Sequence, residues 1–503
     1  MNKRSSRGFV GQYRAHRSGQ ALGYLVLGLC LVVFTWLAFL SEHFAGGGDT
    51  ITHYLFSRYA WEHPQFLLDH WAKPVFTLVS SPFAQAGLRG VVLMNVLLGV
   101  ASAWLAWQVA RSLGMAHAWA VPLLTCFLPV YAETMLSGLT EILFGFMMIL
   151  SLWLLQRSRY HAAALVAGFS FLVRTEGILV MPIVGWYLLA LRQQRAMAGL
   201  FTGFITYSLV GWAALGEPFW LITHMPYRGA VDLYGTGPLL HFARHAPVFF
   251  GALPCLLILT GIIAWGWQAI RIRPDAGALA DGSRGIVMLG MGMFLVYFLA
   301  HSFMWWSGTG SSLGLHRYMA ALGPLAAVLA LAGFNALTRL AGRAMKRSFP
   351  KAWATVLLLL VLGVVAASPF STYPIPGRLQ GPDLIMKQAA RFILEQSLDH
   401  NKVYYYDPAL VIHLDLNPYD PGSARERIFS NQEPESGIET GSIVVWDAHF
   451  AVNNGLEAGT LIHSPYFRLL QEFEPEQEIL VFDRPYRVMV FQRNTLPGDG
   501  AGS

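Results

Sequence analysis

Long apolar stretches recur along most of this chain, and they restrict its possible folds more than any other feature. An α-helix needs about 20 apolar residues to cross the hydrocarbon core of a bilayer, which is about 30 Å thick. About eleven stretches approach that length, at 20–42, 90–110, 116–131, 139–155, 162–173, 177–191, 198–215, 246–269, 286–304, 318–338 and 352–370. We therefore predict an all-α polytopic membrane bundle of about eleven helices, in which the short stretches at 162–173 and 177–191 either tilt or form a re-entrant pair.

Composition agrees with a membrane protein. Of the 503 residues, 54% are hydrophobic and 13% are charged, whereas soluble proteins carry about 25% charged residues. The net charge of +6 does not predict a nucleic-acid partner, because membrane proteins concentrate basic residues on one side. Cys30, Cys126 and Cys255 all lie in apolar stretches, so no disulfide framework and no metal-ligand spacing is predicted.

The basic residues also predict the orientation of the bundle. With the N-terminus in the cytoplasm, the inner loops hold more than twice as many basic residues as the outer loops, which is the usual bias. We thus predict a basic cytoplasmic segment at 1–19 and a transmembrane module at 20–370, with a first outer loop at 43–89. The compact loops favour a bacterial inner membrane.

After the last apolar stretch the composition becomes that of a soluble domain, marked by Pro374, Pro376 and Gly377. The odd number of spans places 371–503 outside the cytoplasm, as an α/β domain. Its patterns predict two helices and four strands. The helices lie at 382–397 and 464–473, and the strands at 403–406, 443–446, 479–482 and 487–491. The last two strands are predicted to form a hairpin, with its turn at Asp483-Arg484-Pro485.

The polar residues that are hardest to explain as surface decoration fall on the predicted outer side. Ionisable residues near a membrane are costly and usually face a bundle interior or a wet cavity, so these residues predict a cavity that opens outward. They are Asp49, His53 and Lys73 in the first outer loop, then Glu141, Arg174, Tyr227, Arg228, Trp305, His316 and Arg317.

The placement of several short motifs resembles the GT-C glycosyltransferases, a family that includes protein mannosyltransferases and the aminoarabinose transferase of lipid A. The resemblance covers roughly 20–370, and it implies transfer of a sugar from a polyprenyl-phosphate donor to a hydroxyl of a lipid, glycan or protein acceptor. The motifs are Asp49 after the first span, Lys73-Pro74, Thr140-Glu141-Ile142-Leu143-Phe144, Arg174-Thr175-Glu176-Gly177 and His316-Arg317-Tyr318.

The resemblance also implies roles for single residues. Asp49 would be the general base of an inverting, single-displacement reaction. Many members of the family carry two adjacent acidic residues in the first loop, whereas Thr50 follows Asp49 here, so a mechanism without metal or other cofactor is expected. The candidates for the donor phosphate are Arg174, Arg228, Arg317 and Lys73, and those for other substrate contacts are His53, Glu141, Tyr227, Trp305 and His316.

Two other functions remain open at this stage, a transporter and a flippase or ligase for lipid-linked glycans. A transporter is expected to show internal repeats or broken helices near the membrane midplane, and we find no internal repeat. Neutralising Asp49 discriminates between the classes, because an enzyme would lose activity while still folding, and a transporter would be most sensitive within its spans.

Overall fold

The computed structural model describes residues 3–224, 235–270, 282–309, 312–481 and 484–494. Its contacts divide the chain into two compact units. Unit 1 comprises Met1–Gly46 and His53–Gly377, and unit 2 comprises Gly47–Thr52 and Arg378–Ser503. A short piece of the predicted first outer loop, which contains Asp49, is therefore part of the same unit as the C-terminal sheet.

The described part of unit 1 consists mainly of helices, with one isolated β-bridge between Ala45 and Ser137. Its α-helices are α1 Lys3–Leu40, α2 Gly47–Tyr59 (whose first residues belong to unit 2), α3 Pro74–Ala84, α4 Leu88–Ser112, α5 Val121–Cys126, α6 Pro129–Met135, α7 Glu141–Gln156, α8 Tyr160–Ser170, α9 Gly177–Ala190, α10 Gln194–Met197, α11 Thr202–Leu215, α12 Trp220–Thr223, α13 His241–Phe249, α14 Ala252–Ile270, α15 Gly282–Ser307, α16 Gly323–Ala344 and α17 Lys351–Thr372. Its 3-10 helices are Pro64–Leu68, Ala118–Ala120, Ala198–Phe201 and His316–Leu322.

The polytopic membrane bundle is confirmed, but fewer of the described helices than predicted are long and apolar enough to span a membrane on their own. Among the described residues, six helices are long and apolar enough, namely Gly19–Leu40, Leu88–Ser112, Gln194–Leu215, Ser283–Ser307, His316–Ala344 and Lys351–Thr372. The pair Ala118–Cys126 and Pro129–Met135, bent by 65°, could form a seventh, broken span. The predicted spans at 139–155 and 177–191 are helices of only 16 and 14 residues. Among the described residues, six or seven helices therefore meet the length and composition of a full span, where about eleven were predicted.

Local chemistry explains the broken span. Proline disfavours the helical conformation in the residue before it, and Leu128, which precedes Pro129, has an extended backbone with ψ 130°. Pro129 itself occupies the first turn of α6, where its missing N–H costs nothing. The chain therefore ends one helix and starts another in the middle of an apolar run.

A close backbone approach brings two parts of unit 1 together. Helix α7 lies against the 3-10 helix His316–Leu322 at Gly145, where an added Cβ would lie 2.7 Å from the carbonyl oxygen of Ala321. Only glycine allows this separation without a shift of the backbone. As a result Glu141, at the start of α7, and Arg317 lie near each other.

Unit 2 is an α/β domain with one five-stranded sheet in the order β2-β1-β3-β7-β4. Strand β1 is parallel to β2 and β3, whereas β7 is antiparallel to β3 and β4. The strands are β1 Val403–Tyr405, β2 Ala424–Glu426, β3 Ile443–Asp447, β4 Phe467–Phe473, β5 Leu480–Val481, β6 Arg484–Pro485 and β7 Val488–Arg493. Its helices are α18 Gly381–Glu395, α19 Ala409–Leu414, α20 Phe450–Asn453 and α21 Ala458–Ile462.

Three local predictions need correction. The helix predicted at 464–473 is strand β4, which pairs with β7 along the edge of the sheet. Of the predicted final hairpin, Leu480–Val481 pairs with Arg484–Pro485, whereas β7 joins the main sheet. The first outer loop at 43–89 is largely helical, since α2 and α3 both lie within it.

Candidate active site

A buried arginine forms the centre of the polar groups in unit 1. Arg174 lies in the turn between α8 and α9, and its Nη1 is 2.7 Å from Oε1 of Glu141 while its Nη2 is 2.7 Å from Oε1 of Glu176. Nη1 also donates to Oγ1 of Thr140, at 3.2 Å. Removing such charges from water costs several kcal/mol per ion, so a chain places them among apolar helices for a specific use.

His301 completes the arrangement from α15. Its Nε2 lies 3.2 Å from Oε1 of Glu176, and its Nδ1 lies 3.2 Å from Oγ of Ser312. The ring of Tyr318 packs against the guanidinium of Arg174, with 4.5 Å from Cζ to the ring centroid. We call Glu141, Arg174, Glu176 and His301 the arginine cluster.

Two cations border this buried centre in more accessible positions. Nε of Arg317 lies 3.8 Å from Oε1 of Glu141, and the Arg317 side chain is 20% exposed, compared with 10% for Arg174. Nζ of Lys73 lies 3.5 Å from Oγ1 of Thr175, and Lys73 is half-buried. Arg317 and Lys73 are therefore more accessible to solvent than Arg174.

The pKa shifts of Arg174, Glu176 and Lys73 have different causes. Burial acts to lower the pKa of Arg174, but Glu176 and Glu141 outweigh it and hold that pKa well above its usual value. Burial acts to raise the pKa of Glu176, but Arg174 and His301 outweigh it and keep the pKa well below its usual value. Burial lowers the pKa of Lys73 to about 7, although Glu176 partly opposes this shift. Arg174 and Glu176 are thus permanently charged, whereas Lys73 titrates near neutrality.

Asp49 lies in unit 2, in the first turn of α2. This helix begins after Gly46, which has a φ of 93°, and a carboxylate in the first turn suits the helix dipole. An added Cβ on Gly48 would lie 2.8 Å from the ring of Phe450 and 3.7 Å from Cγ of Pro408. Because these two residues follow β3 and β1, the Asp49 turn packs at the carboxyl ends of two parallel strands.

Two further carboxylates lie at the same strand ends. Asp407 and Asp447 are both buried, and each accepts hydrogen bonds from backbone N–H groups, with 2.8 Å from Ala409 to Asp407 and 2.9 Å from His449 to Asp447. Burial and the charge of Asp447 raise the pKa of Asp407 to about 8, and burial raises that of Asp447 to about 6. Asp407 therefore holds a proton near neutrality.

The structure brings together only some of the predicted site residues. Lys73, Glu141, Arg174 and Arg317 are grouped as described above. His53 is buried and stacks on Trp71 with 4.8 Å between ring centroids.

Trp305 and His316 pack around His241, at 5.7 and 5.6 Å between centroids. Tyr227 and Arg228 lie outside the described residues.

Glu176 and His301 were not among the predicted site residues, although a sequence signal exists for each. Glu176 follows Arg174 by two residues in a very short turn, and His301 lies inside a long apolar run. Ionisable residues in such positions are rare and usually functional. Asp407 and Asp447 gave no comparable signal, because their proximity depends on the pairing of β1 with β3.

Similarity to known proteins is found among solved structures. No family model matches the chain, and no curated protein matches it either. The chain is similar to a cryo-EM structure of the arabinofuranosyltransferase AftD from Mycobacteria, with a TM-score of 0.49 and 15% identity over 94% of this chain and 40% of that one. A structure of a mutant of the same protein gives a TM-score of 0.44 and 15% identity over 94% and 42%. The chain thus spans about two fifths of the length of these structures.

Proposed function

We propose that this protein is a membrane glycosyltransferase of the GT-C type, which moves a pentose or hexose from a polyprenyl-phosphate donor to an acceptor hydroxyl on the extracytoplasmic side. In this proposal the protein lies in a bacterial inner membrane, with its N-terminus in the cytoplasm. The observation that carries this proposal is the arginine cluster, because Arg174 is held between two carboxylates inside an apolar bundle with Arg317 and Lys73 beside it.

The charge balance of the reaction explains why such cations are useful. The phosphate of the donor is a diester with one negative charge, and it leaves as a monoester with up to two. Cations that face this phosphate stabilise the transition state more than the bound donor, and only such differential binding raises the rate. We assign phosphate binding to Arg317 and Lys73.

Arg174 has a different part in this proposal. Its Nε, Nη1 and Nη2 already point to Glu176 and Glu141, so most of its donors are engaged within the protein. It would hold the two carboxylates in place and add positive charge behind the phosphate. A planar guanidinium suits this bridging better than an ammonium group.

We propose Asp49 as the general base, because its position after the first span resembles that of the catalytic carboxylate in GT-C glycosyltransferases. The acceptor oxygen attacks the anomeric carbon while the bond from that carbon to the phosphate oxygen breaks, and the acceptor proton passes to the Asp49 carboxylate. One displacement inverts the anomeric carbon. The leaving phosphate needs no protonation, and transfer is expected to proceed without added Mg²⁺ or Mn²⁺.

Transfer assays with the purified full-length protein in proteoliposomes test this function. The donors are synthetic polyprenyl phosphates that carry pentofuranose or hexopyranose sugars, and the control variant is Arg244→Ala, which changes an exposed arginine. Removal of one group that stabilises developing negative charge costs about 10²–10³-fold in rate, so we expect that loss for Arg317→Ala. Absence of transfer from every donor, or a wild-type rate for Arg317→Ala, would refute the proposal.

A further inference from the structure

Three histidines in unit 1 lie close enough together to share a metal ion. One ring nitrogen each of His241, His245 and His316 lies within 4.8 Å of the others. His241 and His245 are one turn apart on α13, so they project from the same face, and His316 begins the 3-10 helix His316–Leu322. All three are partly buried, which leaves the cluster accessible to a small ion.

Hydrogen bonds to backbone carbonyls fix the tautomers of two of these rings. Nε2 of His241 lies 2.9 Å from the carbonyl oxygen of Gly314, and Nδ1 of His245 lies 2.8 Å from that of His241. A carbonyl oxygen only accepts, so both ring nitrogens must carry the hydrogen. The remaining nitrogens, Nδ1 of His241 and Nε2 of His245, hence carry lone pairs. Histidines that bind metals usually donate their other N–H in this way.

We propose that His241, His245 and His316 bind a Zn²⁺ ion. Imidazole nitrogen is a preferred ligand of zinc, with Zn–N distances of about 2.0–2.1 Å. Tetrahedral geometry at that distance separates the ligand atoms by about 3.3 Å, so zinc binding would draw the ring nitrogens closer together than the 4.8 Å within which they lie. A site with three protein ligands keeps a fourth position open for water or another oxygen ligand.

A bound ion would link α13 to His316, the residue that immediately precedes Arg317. Aromatic rings lie around the three histidines, with 5.7 Å from the ring of Trp305 to that of His241 and 5.6 Å from the ring of Phe249 to that of His316, measured between centroids. This inference does not rest on the proposed glycosyl transfer, since zinc binding is measured without any substrate.

The test uses the full-length protein purified without a histidine tag, stripped of metal by a chelator and then titrated with Zn²⁺ alone. We expect one ion per chain by elemental analysis. Loss of an outer hydrogen-bond partner weakens metal sites about 10–100-fold, so loss of a ligand in His245→Ala should weaken binding by at least about 100-fold. The control variant is His161→Ala, which changes an exposed histidine of α8 and should leave the affinity unchanged.

A spectroscopic measurement on the wild-type protein does not depend on whether any variant folds. X-ray absorption of the zinc-loaded protein should show three imidazole nitrogens at about 2.0–2.1 Å. Equal zinc affinity in wild type and His245→Ala, binding well below one ion per chain, or a ligand set without three imidazoles would each overturn the proposal.

Discussion

At the scale of single residues, the protonation of Lys73 should make donor binding depend on pH. Its pKa of about 7 is caused first by burial, so the ammonium group is charged at pH 6 and largely neutral at pH 8. A phosphodiester donor does not titrate in this range. We therefore expect donor affinity to fall roughly tenfold between pH 6 and pH 8, in step with the protonated fraction of Lys73. Lys73→Arg, which stays charged, should remove most of this dependence, and an equal slope in both proteins would exclude Lys73 as the cause.

A second prediction at this scale concerns Asp407. Its pKa is raised from an ordinary value of about 4 to about 8, so the folded state binds the proton more tightly than the unfolded state. Ionisation of Asp407 therefore lowers the free energy of unfolding. This loss is absent below about pH 4, grows as the pH rises, and is complete above about pH 8, with a slope of up to about 1.4 kcal/mol per pH unit.

Asp407→Asn should accordingly stabilise unit 2 at pH 8.5 and much less at pH 5.5. The asparagine oxygen can still accept the hydrogen bond from Ala409. The measurement is pulse proteolysis of the 378–503 region of the full-length protein in urea at both pH values. Asp415→Asn, at an exposed position, serves as the control. A lower urea midpoint for Asp407→Asn at pH 8.5 would show that the charged carboxylate is favourable.

At the scale of secondary-structure elements, the contact between α7 and the 3-10 helix His316–Leu322 is the sensitive feature of unit 1. A side chain at position 145 would push against the backbone of Ala321, 2.7 Å from its nearest point, and would move Arg317 away from Glu141. A misplacement of about 1 Å can cost about 10²-fold in rate.

We expect Gly145→Val to lose about that much transfer activity. The matched control is Gly292→Val on α15, where an added Cβ would meet only Ile183, at 4.0 Å. Membrane insertion and yield are compared in parallel with the transfer rate. Wild-type rates in Gly145→Val would mean that the position of Arg317 does not matter for the reaction.

The elements also show what sequence patterns can predict. Apolar runs predicted α4 and α17 because a helix in lipid satisfies its own backbone, and α18 because its buried residues recur at helical spacing. Strand β4 was mistaken for a helix because its alternation is weak, with only Phe467 fully buried, and its strand form depends on pairing with β7. Such pairing is non-local, so it leaves little trace in the segment itself.

At the site, too, local features could be predicted and non-local ones could not. Arg174, Glu141 and Arg317 could be predicted because charge in an apolar context is conspicuous in any sequence. The pairing of Asp407 with Asp447 could not, since it arises from the adjacency of two strands that are about 40 residues apart. The cluster of His241, His245 and His316 likewise depends on packing between α13 and a helix far along the chain.

At the scale of the whole molecule, the two compact units differ from the domains predicted from the sequence at 20–370 and 371–503. The tail does not form its unit alone, because Gly47–Thr52 belongs to it as well. The Asp49 turn is thus held by residues that follow β1 and β3 in the C-terminal domain. Within unit 2, the position of the Asp49 turn therefore depends on the C-terminal domain.

The most direct test of the account compares Asp49→Asn and Asp49→Glu with wild type in sugar transfer and in donor binding. Positioned general-base catalysis contributes about 10²–10⁴-fold, so Asp49→Asn should lose turnover by that factor while it binds the donor as wild type does. Asp49→Glu keeps a carboxylate and should retain more activity than Asp49→Asn. Wild-type turnover in Asp49→Asn, or retention of the anomeric configuration in the wild-type product, would contradict the account.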